Sequence, residues 1–484
     1  MSDIVLVYPK TGFDIKKTTV DLPLGILSTA AVLVDSYKVK VIDQRINPDW
    51  EKELKKELKK EPKFVALSSM GGTQIGYALE LSKMVKENSN AKVVWGGLQA
   101  TLLPEPTIQH PMVDVVAIGE AEGIMQDLAN TLSNGSNLSN VKGIFFKEQE
   151  KVVRNLPAEV LDVNTFPEIP YDLVDVEEYI GSRSMTVPQM KRTLPFVTSR
   201  GCPYQCTFCC VPGYAKRRWR GMSVDLTHQR VMEMVERFKL DSVVFHDENF
   251  LSNPKRAEEL AKKFKRNFLW SIQARMDNIN RTDMETLEKG GLVHVQPGIE
   301  SGSERILKLM KKDETKEQML EANRKLAKTS IIPAYNFMMG FPTETLQDTY
   351  ETVDFALQLI KENPNAMIAG FYVYMPTGGT EAFELALQHG FQPPTTLEGW
   401  VTFNRQHQDT PWIQDKVATL NNVMLTSKLV DGKRFSNMFQ KFHIPEAVYQ
   451  MVGAYYRRKW RQHNFRDTLD IKALRSISRM LFTY

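Results

Sequence analysis

Cysteine is the scarcest chemistry in this chain of 484 residues, with four in all, and every one falls between positions 202 and 210. That clustering excludes a disulfide framework spread through the fold. No apolar run approaches the ~20 residues needed to cross a bilayer. The opening Met1–Val7 reads as a strand rather than a targeting segment, so the expected setting is the cytoplasm, where thiols stay reduced. Charge of one sign is also lacking. Lys and Arg total 62 against 58 Asp and Glu, a net +4, so electrostatics call for no nucleic-acid partner. Internal repeats and low-complexity tracts are absent. The hydrophobic fraction of 42% and charged fraction of 25% are those of a globular protein, and the length suits two to four domains.

What is present starts at Ser199-Arg-Gly-Cys-Pro-Tyr-Gln-Cys-Thr-Phe-Cys-Cys. Cys202, Cys206 and Cys209 have the spacing C-x3-C-x2-C on a loop with Gly201, Pro203 and Pro212. Soft thiolates this close select zinc, copper(I) or an iron–sulfur cluster. A zinc site wants a second ligand pair some distance away, and no such Cys/His pair is visible. Three ligands on one loop suit a four-iron cubane with one iron left open. Cys210, next to Cys209, reads as small apolar filler rather than a ligand.

The fold class is α/β. Residues 1–148 alternate strands and helices. Expected strands are Ile4–Tyr8, Val39–Asp43, Phe64–Ser69, Val93–Gly97 and Val113–Ile118, and the expected helices include Leu24–Asp35, Trp50–Glu61, Tyr77–Lys86 and Gly123–Leu132. The rhythm predicts a doubly wound, Rossmann-like parallel sheet that binds ligands at its carboxyl edge. Ser68, Ser69, Gly96, Gly97 and Gly119 stand at that edge. Residues 149–190, broken by Pro157, Pro167 and Pro170, read as a linker. Over 191–392 the alternation returns as six βα units, with strands Leu194–Thr198, Ser242–His246, Trp270–Ala274, Val293–Ile299, Pro333–Met339 and Gly370–Tyr374. Helices between them include Val224–Phe238, Arg281–Lys289 and Ser303–Met310. His246 and His294 read as strand residues with satisfied rings.

The cysteine loop after Leu194-Pro-Phe-Val-Thr-Ser, with the aromatic Phe208 before its third cysteine, resembles the radical S-adenosylmethionine (SAM) enzymes. The resemblance implies a partial (β/α)6 barrel and a [4Fe–4S] cluster held by Cys202, Cys206 and Cys209. SAM bound at the open iron would be cleaved to a 5′-deoxyadenosyl radical. It further implies SAM contacts at successive strand ends, by Phe208, Asp247 and Glu248, Gln273 and Arg275, Glu300 and Ser301, Gly340, and Pro376. The segments Leu22-Pro-Leu-Gly-Ile, Leu67-Ser-Ser-Met, Trp95-Gly-Gly-Leu and Ala117-Ile-Gly-Glu resemble the cobalamin-binding domain that precedes the barrel in one large subgroup. Leu24, Gly25, Ser68, Ser69, Gly96, Gly97, Gly119 and Glu120 are the cobalamin contacts so implied. One departure stands out. Where related cobalamin domains place a cobalt-ligating histidine, this chain has Asp43-Gln-Arg45, and a guanidinium offers no lone pair.

With both cofactors, the subgroup resemblance implies methyl transfer to an unactivated carbon of a small-molecule or lipid-like substrate, with flavodoxin or ferredoxin as electron donor. The anaerobic porphyrin ring cyclase shares this domain order, so ring formation or rearrangement is the competing reading. A methylthiotransferase would need cysteines for a second cluster, and none exist. A non-catalytic cobalamin or iron–sulfur sensor is the remaining reading, and predicts no reductive cleavage of SAM. Residues 393–484 match no recognisable motif and turn helical, with Ile444–Trp460 and Ile471–Leu481 clearest. Arg457, Arg458, Lys459, Arg461, Arg466, Lys472, Arg475 and Arg479 make this end basic, with interleaved aromatics including Phe482. It is expected to cap the barrel mouth, or else to lie on an anionic membrane surface or dock an acidic electron carrier such as flavodoxin.

Overall fold

The computed structural model describes residues 3–149, 151–181, 187–403, 410–432 and 446–482. Met1, Ser2, the expected helix start at Ile444, and the side chains of Arg479 and Phe482 lie outside the described residues.

Two sheets organise the chain. The first begins with β1 (Ile4–Tyr8), whose Ile-Val-Leu-Val run is wholly buried, the mark of a strand covered on both faces. It continues with β2 (Val39–Asp43), β3 (Phe64–Ser68), β4 (Lys92–Gly96) and β5 (Val115–Ala117), all parallel. The antiparallel hairpin β6 (Ile144–Glu148) and β7 (Lys151–Arg154) completes the order β2-β1-β3-β4-β5-β6-β7. The strand order reverses beside β1, which opens a crevice at the carboxyl ends of the strands. Sequence alone gives no sign of the β6–β7 hairpin and puts residues beyond 148 in a linker.

The second sheet is the barrel. Its strands are β8 (Thr193–Phe196), β11 (Ser242–Phe245), β12 (Leu269–Ala274), β13 (Leu292–Glu300), β14 (Ile332–Met339) and β15 (Met367–Val373). Between β8 and β11 a short antiparallel ribbon, β9 (Ser199–Arg200) with β10 (Arg220–Gly221), brackets the cysteine loop. The barrel strands lie side by side in chain order and all pair parallel, as repeated right-handed βα crossovers require. The result is an open, six-stranded partial barrel. The helix expected over Arg281–Lys289 is instead two, Met276–Arg281 and Met284–Lys289, because the Asp283 side chain accepts from Thr286 N at 3.2 Å and starts a new helix.

An open barrel leaves two strand edges to cover. At β8, Gly181 bridges Thr193. At β15, the C-terminal helices do the work. The backbone N–H of Ile368 donates to Asp431 Oδ2 at 3.0 Å, and Trp460 meets Phe371 edge-on at 5.3 Å. The helices Glu446–Arg461 and Leu469–Phe482 carry the basic end, where Lys459 pairs with Asp470 at 2.9 Å and Arg475 with Asp467 at 2.8 Å.

Arg45, in the place of the expected histidine, is fully engaged. It pairs with Asp43 at 2.6 Å, donates to the Asp21 carbonyl at 2.8 Å, and lies 4.0 Å from the Tyr8 ring centroid. Tyr179, arriving after the long connection, donates to Asp43 at 2.8 Å. Asp43, held in place by Arg45, therefore fastens the connecting segment to the first sheet.

Candidate active site between the two sheets

The loop bearing the cysteines is held rigidly. β8 ends in a turn clamped by Asp247, whose carboxylate accepts from Thr198 N (2.7 Å), Thr198 Oγ1 (2.6 Å) and Ser199 Oγ (2.5 Å). Gly201 follows at φ 83°, and a Cβ there would lie 2.0 Å from the Arg218 carbonyl oxygen, so only glycine fits. Further on, Thr207 N donates to the Met310 carbonyl at 2.9 Å, and the Thr207 carbonyl accepts from Ala382 N at 2.8 Å. All four cysteines are free and half-buried. Among the described residues, no three His, Cys, Asp or Glu side chains are placed to hold a single metal ion. Cys210 caps the short helix Val211–Ala215 beside Cys209, and Phe208 packs against Ile306, Met310, Phe341 and Tyr374.

Behind Cys206 lies a buried charge network. Arg275 Nη1 sits 3.5 Å from Cys206 Sγ, and the guanidinium stacks 3.7 Å from the centroid of Tyr204. Arg275 also pairs with Asp277 at 3.0 Å and Glu314 at 3.4 Å, while Lys312 reaches Glu314 at 3.3 Å and Glu300 at 3.6 Å. Burial pushes the Cys206 thiol up, and Lys312 and Arg275 pull it back toward thiolate. That basic backing fits an anionic, thiolate-ligated cluster. Glu300 takes φ 66° at a register shift in β13, and its Oε1 curls to within 2.2 Å of where a Gly298 Cβ would stand. Glycine at 298 is what lets Glu300 fold back to Lys312. Burial raises the Glu300 carboxyl and Lys312 opposes that shift.

The other expected SAM contacts divide. Glu248 faces the space between the sheets, accepting from Gly201 N at 3.1 Å and Tyr214 OH at 2.8 Å. Gln273 is exposed on β12. Gly340 turns at φ 68°, with its carbonyl accepting from Trp412 Nε1 at 2.8 Å. Asp247 and Ser301 are instead spent inside the wall, Ser301 on Thr352 and on the backbone of Ser303. Pro376 is buried in the last barrel loop. His246 lines the larger cavity described below, 3.6 Å from Asp21. His294 is not satisfied as sequence suggests. Its Nε2 is buried without a partner, and burial pushes the ring down to about 4, so it is neutral near pH 7.

On the first sheet, Gly25, Ser68, Gly96, Gly97, Gly119 and Glu120 line one cavity of about 250 Å³ at the carboxyl ends of β3, β4 and β5. A Cβ at Gly25 or Gly119 would meet nothing within 4 Å, so bare backbone fronts the space at both places. This is a cradle suited to a large planar or nucleotide-like group. Ser69 lies behind the wall, its N–H donating to the Gly96 carbonyl at 3.0 Å. Leu24 lines an adjoining cavity of about 580 Å³, which reaches Val197, His246 and the connecting residues Phe166, Ile169 and Tyr171. Gly25, Ser28, Leu98, Arg200, Tyr214 and Glu248 border both cavities. Two ion pairs tie the cysteine-bearing ribbon to the cradle: Arg200 with Glu122 at 2.7 Å, and Arg220 with Glu120.

Sequence reasoning missed Arg200, Tyr214, Arg220, Lys312 and Glu314. Lys311-Lys-Asp-Glu314 carries no motif, and only the folded barrel turns Lys312 and Glu314 inward to 5% and 0% side-chain exposure.

A glycine cradle on one parallel sheet, joined through Arg200 and Arg220 to the segment that bears a half-buried trio of cysteines on a partial barrel, is the arrangement of a radical SAM enzyme with a cobalamin compartment. Comparisons agree. The profile of the B12 binding domain matches residues 19–129, and that of the radical SAM superfamily matches residues 196–356. An uncharacterized methyltransferase of Pyrococcus horikoshii is 31% identical over 397 residues, spanning 79% of this chain and 83% of that protein. The chain belongs to the cobalamin-dependent radical SAM enzymes, and its cofactors are a [4Fe–4S] cluster, SAM and cobalamin. The anaerobic magnesium-protoporphyrin IX monomethyl ester cyclase of Rubrivivax gelatinosus is 26% identical, over 63% of this chain and 55% of that protein. The fold is that of the cobalamin-dependent SAM radical enzyme OxsB, solved with aqua-cobalamin and SAM bound, at TM-score 0.71 and 18% identity over 99% of this chain and 75% of that one. No helix among the described residues is long and apolar enough to cross a membrane.

The cradle yields a direct prediction. Gly97 has φ 87°, and a Cβ there would stand 2.8 Å from the Ser69 carbonyl oxygen. A Gly97→Val variant should lose about 1–3 kcal/mol of stability to backbone strain and displaced wall. It should also retain cobalamin at least about tenfold less well, since each 1.4 kcal/mol of distortion is a factor of ten. Melting temperature and the cobalamin absorbance that survives gel filtration check the two effects.

Proposed function

We propose that this chain is a methyltransferase that places a methyl group on an unactivated carbon of a small-molecule or lipid-like substrate. Cys202, Cys206 and Cys209 hold the cluster, Glu248, Arg275 and Glu300 frame the SAM site, and the glycines of the first sheet hold cobalamin. When bound, these groups supply a carbon-centred radical on one side and a transferable methyl on the other. The protein supplies placement. Arg200 and Tyr214 form the wall between the compartments, and the ribbon salt bridges fix its distance from the cradle, so a substrate carbon is oriented rather than left to collision. The Asp247 clamp keeps the cysteine turn from shifting.

The adjoining cavities support this reading most, because Arg200, Tyr214 and Glu248, on or beside the cysteine-bearing segment, border both. The apolar lining by Phe166, Ile169, Met222 and Met234 supports a substrate with an apolar body. The cyclase among the relatives keeps ring formation as the second reading. Products separate them. Anaerobic enzyme reconstituted with iron, sulfide and cobalamin, given methyl-labelled SAM and an extract of small molecules, is expected to form S-adenosylhomocysteine and 5′-deoxyadenosine in equal amounts. One new labelled compound should accompany them. Deoxyadenosine without S-adenosylhomocysteine would favour cyclisation. Neither product, after dithionite reduction, would leave the sensor reading.

A further inference from the structure

Each reductive cleavage needs one electron from outside, and the surface around the cysteine loop carries a cluster of exposed cations. Lys216, Arg217 and Arg218 follow the last cysteine by a few residues and are all exposed. Their neighbours Arg200 and Arg220 are neutralised by Glu122 and Glu120. The three exposed cations have no carboxylate partner among the described residues, and Arg217 makes only a long bond, Nε to the Pro203 carbonyl at 3.4 Å. The turn presenting them ends the helix Val211–Ala215, with Lys216 as its left-handed cap at φ 47° and Arg217 following at φ 58°.

The turn is pressed against the cluster loop from both sides of one cysteine. The Arg218 carbonyl packs on Gly201, the residue before Cys202, and Arg217 bonds Pro203, the residue after it. Pro203 and Gln205 are themselves exposed. A partner seated on this turn thus rests on the residues that flank Cys202.

We infer that the Lys216–Arg218 turn is the docking surface for an acidic one-electron carrier protein, of the flavin or iron–sulfur kind, which delivers its electron beside Cys202. The inference rests on the proposed role of Cys202 as a cluster ligand. The step balances simply: a carrier such as a flavin hydroquinone is oxidised by one electron to the semiquinone, the cluster is reduced by one, and no bond to the protein forms or breaks. Three unpaired cations in one turn attract an acidic surface, speed encounter and make it salt-sensitive.

The test compares the holoprotein with its K216E/R217E/R218E variant, using a bacterial flavodoxin hydroquinone or dithionite as reductant. With flavodoxin, deoxyadenosine formation by the variant should fall by about tenfold or more, while the small-molecule dithionite should support a rate within about twofold of the parent. Direct binding of flavodoxin to the parent should weaken steeply between about 50 and 300 mM salt, and be nearly lost in the variant. Unchanged flavodoxin binding and rate in the variant would overturn the inference. So would equal losses with both reductants, or parent binding indifferent to salt, or binding only to anionic vesicles. A parent protein that cleaves no SAM with dithionite would instead defeat the proposed function. The binding comparison would still judge the docking surface.

Discussion

Cys206→Ala is expected to reduce 5′-deoxyadenosine formation by at least about a hundredfold, since even residues that merely support a metal ligand are worth ten- to a hundredfold. No spare thiol can take its place. The chain's other cysteines are Cys202, Cys209 and Cys210, and the loop that carries them is pinned by Thr207 to Met310 and Ala382. The same pinning means that alanine leaves the backbone where it is. The variant should therefore fold, with a melting temperature near that of the metal-free parent, while its iron content and paramagnetic signal after reconstitution fall away. Activity within about tenfold of the parent would remove Cys206 from the cluster. A Cys210→Ala variant is the natural control, and should keep its iron.

The second large effect belongs to Arg275. Its guanidinium touches Cys206, stacks on Tyr204 and faces Asp277 and Glu314, and Glu314 is fully buried. Arg275→Ala removes one partner from a buried network and should cost about 3–5 kcal/mol. For a chain of this size that corresponds to a melting temperature lower by roughly 3–5 °C. Part of the cost arises from leaving Glu314 with Lys312 as its one cationic partner, so an Arg275→Ala/Glu314→Ala double variant should recover some of it, the signature of coupled sites. A second readout concerns the cluster. Taking a cation from beside a thiolate ligand makes the site harder to reduce, so the midpoint potential should move negative in both variants. A network that only stabilises the fold would leave that potential alone.

Much of this architecture is written locally. The strands of both sheets are short, buried apolar runs between turn residues, and parallel sheets produce that pattern without ambiguity. Six of the eight residues expected in the cobalamin cradle meet in one cavity because strand-end glycines share an edge whenever their strands do. The pairing of acids and bases was illegible for the opposite reason. Glu120 with Arg220, and Glu122 with Arg200, join segments about a hundred residues apart. Nothing local marks such partners. Asp247 shows a subtler limit. Strand-end position brings an acid to the barrel mouth, but whether it faces ligand or wall depends on which neighbours offer hydroxyls, and here Thr198 and Ser199 claim both oxygens. Glu248, one residue on, is the acid that looks outward. The β6–β7 hairpin escaped notice because its turn places Gln149 at φ 48°, a conformation that glutamine does not advertise.

The ribbon salt bridges limit how the molecule can breathe. Since Arg200 and Arg220 bolt the cysteine-bearing segment to residues 120 and 122, any gaping of the two halves on that side would expose four charges at once. The same two arginines also reach the roof of the larger hollow, since Arg220 donates to the Leu161 carbonyl and Arg200 lies 5.5 Å over the Phe166 ring. Ribbon and proline-rich strap are thus tied to one another, and admitting a bulky reactant beneath Phe166, Ile169 and Tyr171 would require the two to shift together.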